Sequence, residues 1–310
     1  MPSDSGAALA APARNRLTIV VVLAACWVPL LVAAVALASR GWTPVGEFAQ
    51  AELRVRDFWE HPPSLGAVAR LRTESGVSSH PGPAAWWAMY PTYAVLGRSA
   101  VALSTAVAIT AGAWMTAALL VAWRRGGDVL AVLLGFALLA TMAGVGPSVF
   151  LEPWNPWFAL MPFLALMLST WAVCVGARWP VVLAAAAGTY CVQAHLGYAP
   201  LVALLGVLAL LGLWHRGPRR DGDWKPLVGP LAATLAVSGL MWLPPLLEQV
   251  TGDPGNIGLM VSAYLQQSDA EPELGLLGAA KLVGGYLDPR SAGLVLTDAV
   301  PTGRGVSAGS

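Results

Sequence analysis

Pro81–Gly97 reads PGPAAWWAMYPTYAVLG. The stretch is apolar, yet it is shorter than the roughly 20 residues a helix needs to cross a bilayer, and Pro91 interrupts it. Trp86, Trp87, Tyr90 and Tyr93 crowd it, as aromatic residues do where a membrane meets water. Whether it spans decides the arrangement of everything that follows.

Around it lie seven apolar runs, at about 17–38, 99–123, 128–149, 157–176, 179–194, 199–214 and 226–246, each ended by charge, proline or glycine. If 81–97 also spans, Arg124, Arg125 and the polar linker HRGPRRDGDWK at 215–225 fall outside, against the tendency of basic loops to stay in the cytoplasm. If it lies on the outer leaflet, Arg14, Arg16, Arg124, Arg125, Arg178 and that linker all become cytoplasmic. The second choice predicts an all-α polytopic membrane protein of about seven transmembrane helices, with interfacial helices on the outer face. It comprises a cytoplasmic tail at 1–16, a transmembrane domain at 17–265 whose first outer loop is 40–98, and an outer segment with a disordered tail at 266–310. The cytoplasmic membrane is the expected location.

Composition agrees. Of 310 residues 56% are hydrophobic and 11% charged, against about 25% charged in soluble domains, and mean hydropathy is +0.63. A net charge of +1 suggests no nucleic-acid partner. Cys26, Cys174 and Cys191 fall inside apolar runs without zinc or disulfide spacing, so they read as packing thiols. No nucleotide-binding or serine-hydrolase motif occurs.

The acids, amides and histidines therefore collect outside. In GEFAQAELRVRD, from Gly46, the residues Phe48, Ala51, Val55, Phe58 and Trp59 recur at helical spacing while Glu47, Gln50, Arg54 and Asp57 form a polar stripe. That predicts an interfacial helix. Glu52 and Arg56 pair at i,i+4 and Arg54 can reach Asp57 at i,i+3. Glu47 reads either as an anion favoured by a helix N-terminus or as a chemical group. HPGP at 80–83 holds His80 on a stiff backbone, either as a surface histidine or against a headgroup phosphate. EPWNPW puts Glu152 and Asn155 in a rigid corner, structural or ligand-binding. Gln193 and His195, in VQAHLGYAP, either line a cavity or bond between helices. WLPPLLEQVTGDPGN delivers Glu248 and Gln249 to the same face.

GEFAQAELRVRD, HPGPAAWW, EPWNPW, VQAHLGYAP and WLPPLLEQVTGDPGN together resemble the GT-C class of membrane glycosyltransferases, in particular the protein O-mannosyltransferase and lipid A aminoarabinose transferase branch. The likeness covers about residues 17–265. It implies transfer of a sugar from a polyprenyl-phosphate carrier to an acceptor hydroxyl at the outer face, with membrane lipids as further partners. By resemblance, Glu47 is the base or a metal-linked acid, and His80 lies near the carrier phosphate. Glu152 and His195 support them, and Asn155, Gln193, Arg54 and Asp57 contact substrate. A divalent metal is a candidate cofactor, held by Glu47 and Glu152. Members commonly carry aspartate followed by another acid where this chain has Gly46, Glu47 and Phe48. They usually continue through further spans, which makes a C-terminally truncated chain the expectation. A lipid or polyol transporter or flippase, and an inactive truncated transferase or scaffold, are the competing readings. The clustering of polar groups at one face rather than at mid-depth, and the lack of a convincing internal repeat, favour the enzyme.

Overall fold

The computed structural model describes residues 13–73, 76–216, 222–267 and 275–287. The chain divides into two compact units, Met1–Ala263 and Tyr264–Ser310. The first holds α1 (Arg16–Ser39), α2 (Glu47–Arg56), a hairpin of β1 (Val68–Thr73) and β2 (Gly76–Ser79), α3 (Ala84–Val95) and α4 (Ala100–Val145). A short α5 (Asn155–Phe158), α6 (Leu160–Cys174), α7 (Pro180–Ala194), α8 (Ala199–Arg216) and α9 (Lys225–Thr251) follow, and α10 (Asn256–Gln267) begins there. In the second unit, α11 covers Gly275–Leu287. The tail expected to be disordered, 297–310, lies outside the described residues, as does 217–221 of the basic linker.

Five helical stretches among the described residues are long and apolar enough to cross a membrane: Arg16–Ser39, Ala100–Val145, Asn155–Cys174, Leu196–His215 and Lys225–Thr251. This is two fewer than the seven expected, for two physical reasons. The runs at 99–123 and 128–149 join in one helical stretch of 46 residues, and the run at 179–194 forms a helix of only 15, about 22 Å at 1.5 Å per residue.

The long stretch α4 doubles back on itself. Gly127 inside it has φ 71° and ψ −164°, a left-handed φ that glycine tolerates because it lacks a Cβ. Consecutive residues of α1 then touch both arms. A Cβ at Gly112 would run into the Trp27 ring, while the Cys26 thiol lies 3.7 Å from the carbonyl oxygen of Gly135. In a straight helix Gly112 and Gly135 would stand about 34 Å apart. Small residues at these two points let α1 approach closely, as in membrane bundles. Trp27 Nε1–H donates to Thr116 Oγ1 at 3.0 Å across the same contact. Ile19, Leu30, Met115, Leu119, Leu138 and Met142 close the core between α1 and both arms.

The break is tied to the start of α1. Both oxygens of Asp128 accept from the Asn15 N–H at 3.0 Å, Oδ1 also accepts from Trp123 Nε1–H at 3.0 Å, and Asp128 N–H donates to the Ala13 carbonyl at 2.9 Å. Elsewhere the helix exteriors are apolar and uncovered: Val32, Val35, Phe136, Leu204, Leu235 and Leu240 are all exposed. Such a surface suits lipid rather than water. The three cysteines are free thiols packed among helices.

The β1–β2 hairpin is the departure from an all-helical chain. It pairs antiparallel, with Val68 opposite Ser79 and Thr73 opposite Gly76, and has an irregularity between Val68 and Arg72.

Candidate functional site: a cleft lined by four stretches

Four separate stretches supply the site. Gly46, at φ 56°, turns the chain into α2, whose first residue is Glu47. The apolar stripe of α2 is covered by protein: Ala51 and Val55 are buried with Trp86, Met89 and Tyr93 of α3, while Phe58 stacks on Tyr90 with ring centroids 4.2 Å apart. Trp59, expected on that stripe, is exposed instead. Glu52 is a structural acid. It is buried, pairs with Arg56 at 2.7 Å and accepts from Tyr93 O–H at 3.2 Å. Hydrogen bonding of the guanidinium to Tyr93 and then to Glu52, with the charge of Glu52, holds the Arg56 pKa above its ordinary value. Arg54 and Asp57 do not form the expected pair. Arg56 instead pairs with Glu52 four residues earlier.

His80 continues the hairpin ladder, donating its N–H to the Ala67 carbonyl at 2.8 Å and accepting from Gly66 N–H at 3.0 Å. Its Nδ1 accepts the Leu196 N–H at 3.2 Å, and His195 Nδ1 accepts the Gly197 N–H at 3.1 Å. The rings lie 4.8 Å apart, tilted by 30°. An Nδ1 that accepts cannot carry a proton, so each neutral ring holds its hydrogen on Nε2. Burial, reinforced by the neighbouring His195, pushes His80 down to about 4, and burial also lowers His195. Both imidazoles are therefore uncharged Nε2–H donors near neutral pH.

Asn155 opens α5, and its amide donates to the Ala194 carbonyl at 3.4 Å. Beside it, Trp154 Nε1–H donates to Glu47 Oε2 at 2.9 Å. Glu47, Trp154, Asn155, His80 and His195 line one cavity of about 690 Å³, floored by Leu196 and Pro200. That size fits a small-molecule site. Arg54 faces a small neighbouring recess that shares Glu47, Trp154 and Asn155. Asp57 instead ends α2, its carbonyl accepting the N–H groups of Glu60 and His61.

Gln193 bonds between helices, one of its two expected roles, and Glu152 lies outside the cleft. Gln193 is fully buried. Its Oε1 accepts the Ala84 N–H at 3.1 Å, an otherwise orphaned donor at the start of α3, and its Nε2 donates to the Met241 carbonyl at 2.8 Å. A Cβ at Gly82 would collide with this amide, so HPGP needs its glycine where it crosses Gln193. Glu152 lines a separate cavity of about 510 Å³, with Pro29, Arg40 and Ser148, and burial raises its pKa. Among the described residues no three histidines, cysteines or carboxylates gather as metal ligands. With Glu47 and Glu152 in different cavities, the donors do not fit the divalent metal that the resemblance suggests.

Glu248 and Gln249 are helix caps. Glu248 Oε2 accepts from Asn256 N–H at 3.2 Å and Gln249 Oε1 from Ile257 N–H at 2.7 Å, closing the start of α10. The buried Asn256 side chain in turn brackets Ser79, accepting its N–H at 2.7 Å and donating to its carbonyl at 3.0 Å. Sequence reasoning missed Trp154 and Asn256. Interfacial tryptophans are expected whatever the function, and an asparagine after GDPG reads as a loop residue. No family model, curated protein or solved structure matches the chain.

Proposed function

We propose that the chain transfers a sugar from a polyprenyl-phosphate carrier to an acceptor hydroxyl at the extracytoplasmic face of the cytoplasmic membrane. The observation that carries this reading is the meeting of Glu47, His80, Asn155 and His195 in one cleft, from stretches up to about 150 residues apart. In the proposed reaction, the acceptor O–H gives its proton to the Glu47 carboxylate and the acceptor oxygen bonds to the anomeric carbon. The bond from that carbon to the phosphate oxygen breaks, and its electron pair leaves on the polyprenyl phosphate. Glu47 is the general base. The Nε2–H groups of His80 and His195 supply neutral donors to the departing phosphate.

Seven crossings suit this reading if the arms of α4 are counted separately and α7 is a short span. The start of α1, the break at Gly127 and the start of α7 then lie together in the cytoplasm.

Purified protein in liposomes, given a polyprenyl-phosphate carrier with a radiolabelled sugar, tests the reading. Label moving to a water-soluble acceptor supports it. Intact donor after prolonged incubation with a panel of sugar donors and hydroxyl acceptors speaks against it.

A further inference from the structure

At the end of α1 remote from the cleft, about 36 Å away along that helix, lies another cavity, of about 550 Å³. It is lined by Arg14, Arg124 and Arg125, by the rings of Trp123 and Trp179, and by Val121, Pro180 and Leu183. Three guanidiniums around one space repel each other unless an anion sits among them. The nearby carboxylate, Asp128, is engaged by Asn15 N–H and Trp123 Nε1–H, and none of the three arginines belongs to an ion pair among the described residues. Among the described residues Arg14 donates to the Arg124 carbonyl, at 3.4 Å. The same cavity is walled by apolar side chains and by Trp179, which is 64% exposed, where an indole would meet acyl chains and headgroups.

We propose that this cavity binds the phosphate of an anionic phospholipid. The guanidinium forks match phosphate oxygens in pairs, and the tryptophans and Leu183 take the glycerol and upper acyl region. Free phosphate would satisfy the arginines but leave the apolar wall uncovered, so the lipid is the better occupant. A lipid here would also bridge the start of α1, the turn between the arms of α4 and the start of α7. The site is independent of the sugar-transfer reading and needs only a membrane around the chain.

The test is native mass spectrometry of the full-length protein released from nanodiscs holding equal amounts of phosphatidylglycerol and phosphatidylcholine. Wild type should retain phosphatidylglycerol selectively. The R124Q/R125Q double variant should lose roughly 25-fold in that selectivity, about fivefold for each charge removed, while R98Q, beside Tyr90 at α3, leaves it unchanged. Arg14→Gln, on the segment before α1, gives about a fivefold loss on its own and reports even if the double variant fails to fold. Retention by both arginine variants equal to wild type overturns the proposal. Release of the lipid by millimolar inorganic phosphate also overturns it, since the site would then take free phosphate.

Discussion

Trp154 and Glu47 are 107 residues apart in sequence, and the indole Nε1–H of one donates to Oε2 of the other at 2.9 Å. The bond fixes the plane of the carboxylate. A hydrogen bond to a charged group contributes about 1.5–3 kcal/mol in a dry site and less where water reaches it. Trp154→Phe keeps the ring and removes the donor. It should lower kcat/KM for transfer about tenfold through kcat, with the melting temperature of the detergent-solubilised protein nearly unchanged.

The histidine pair sets a pH dependence of stability. His80 titrates at about 4 in the folded chain, against about 6.5 when unfolded. Between these values the unfolded chain binds a proton that the folded chain does not, so folding is favoured less as pH falls. Stability is full above about pH 6.5 and is lost progressively down to about pH 4. His80→Asn, whose Oδ1 can still accept from Leu196 N–H, should flatten the melting temperature across that window relative to wild type.

Gln193 satisfies the first turn of α3 and the middle of α9 at once. Gln193→Ala strands the Ala84 N–H and the Met241 carbonyl in a part-buried site, a cost of about 2–6 kcal/mol at the usual 1–3 kcal/mol per orphan. Gly82→Ala forces a methyl into the same amide and should cost about 1–3 kcal/mol by overpacking. Chemical denaturation in mixed micelles measures both. Because the sites touch, the combined variant should be less destabilised than the sum of the two.

Asp128 holds the segment before α1 against the α4 turn. Asp128→Ala releases Asn15 and Trp123, and trypsin should then cut after Arg14 and Arg16 about fivefold faster, for roughly 1 kcal/mol of lost local protection. A time course of limited proteolysis on the detergent-solubilised protein, where trypsin reaches both sides, checks this.

What the sequence disclosed and what it hid follow from the range of the interactions. Helix α2 and the Glu52–Arg56 pair were legible because spacings of three and four residues are local, as was the start of α3 after HPGP. The partner of the α2 apolar face was not: periodicity reports that a face is greasy, and only the packing shows that α3 rather than lipid covers it. Gly127 was hidden within a pair of glycines after two arginines, which reads as a loop whether the flanking helices join or separate. Glu47, His80, Asn155 and His195 line one cleft. Gln193 and Glu152 carried the same polar signal, yet one is consumed by backbone groups and the other faces a different cavity. Residue type announces polarity and not its partner, so neither assignment could be made without the fold.

The most direct measurement compares Glu47→Gln with wild type for transfer of labelled sugar from polyprenyl phosphate in liposomes, at matched expression and matched melting temperature. Glutamine keeps the size and an acceptor for the Trp154 indole but cannot take a proton. The account predicts a fall in kcat of about 100- to 10,000-fold, the usual contribution of a positioned general base. Full activity in a normally folded Glu47→Gln protein would contradict it.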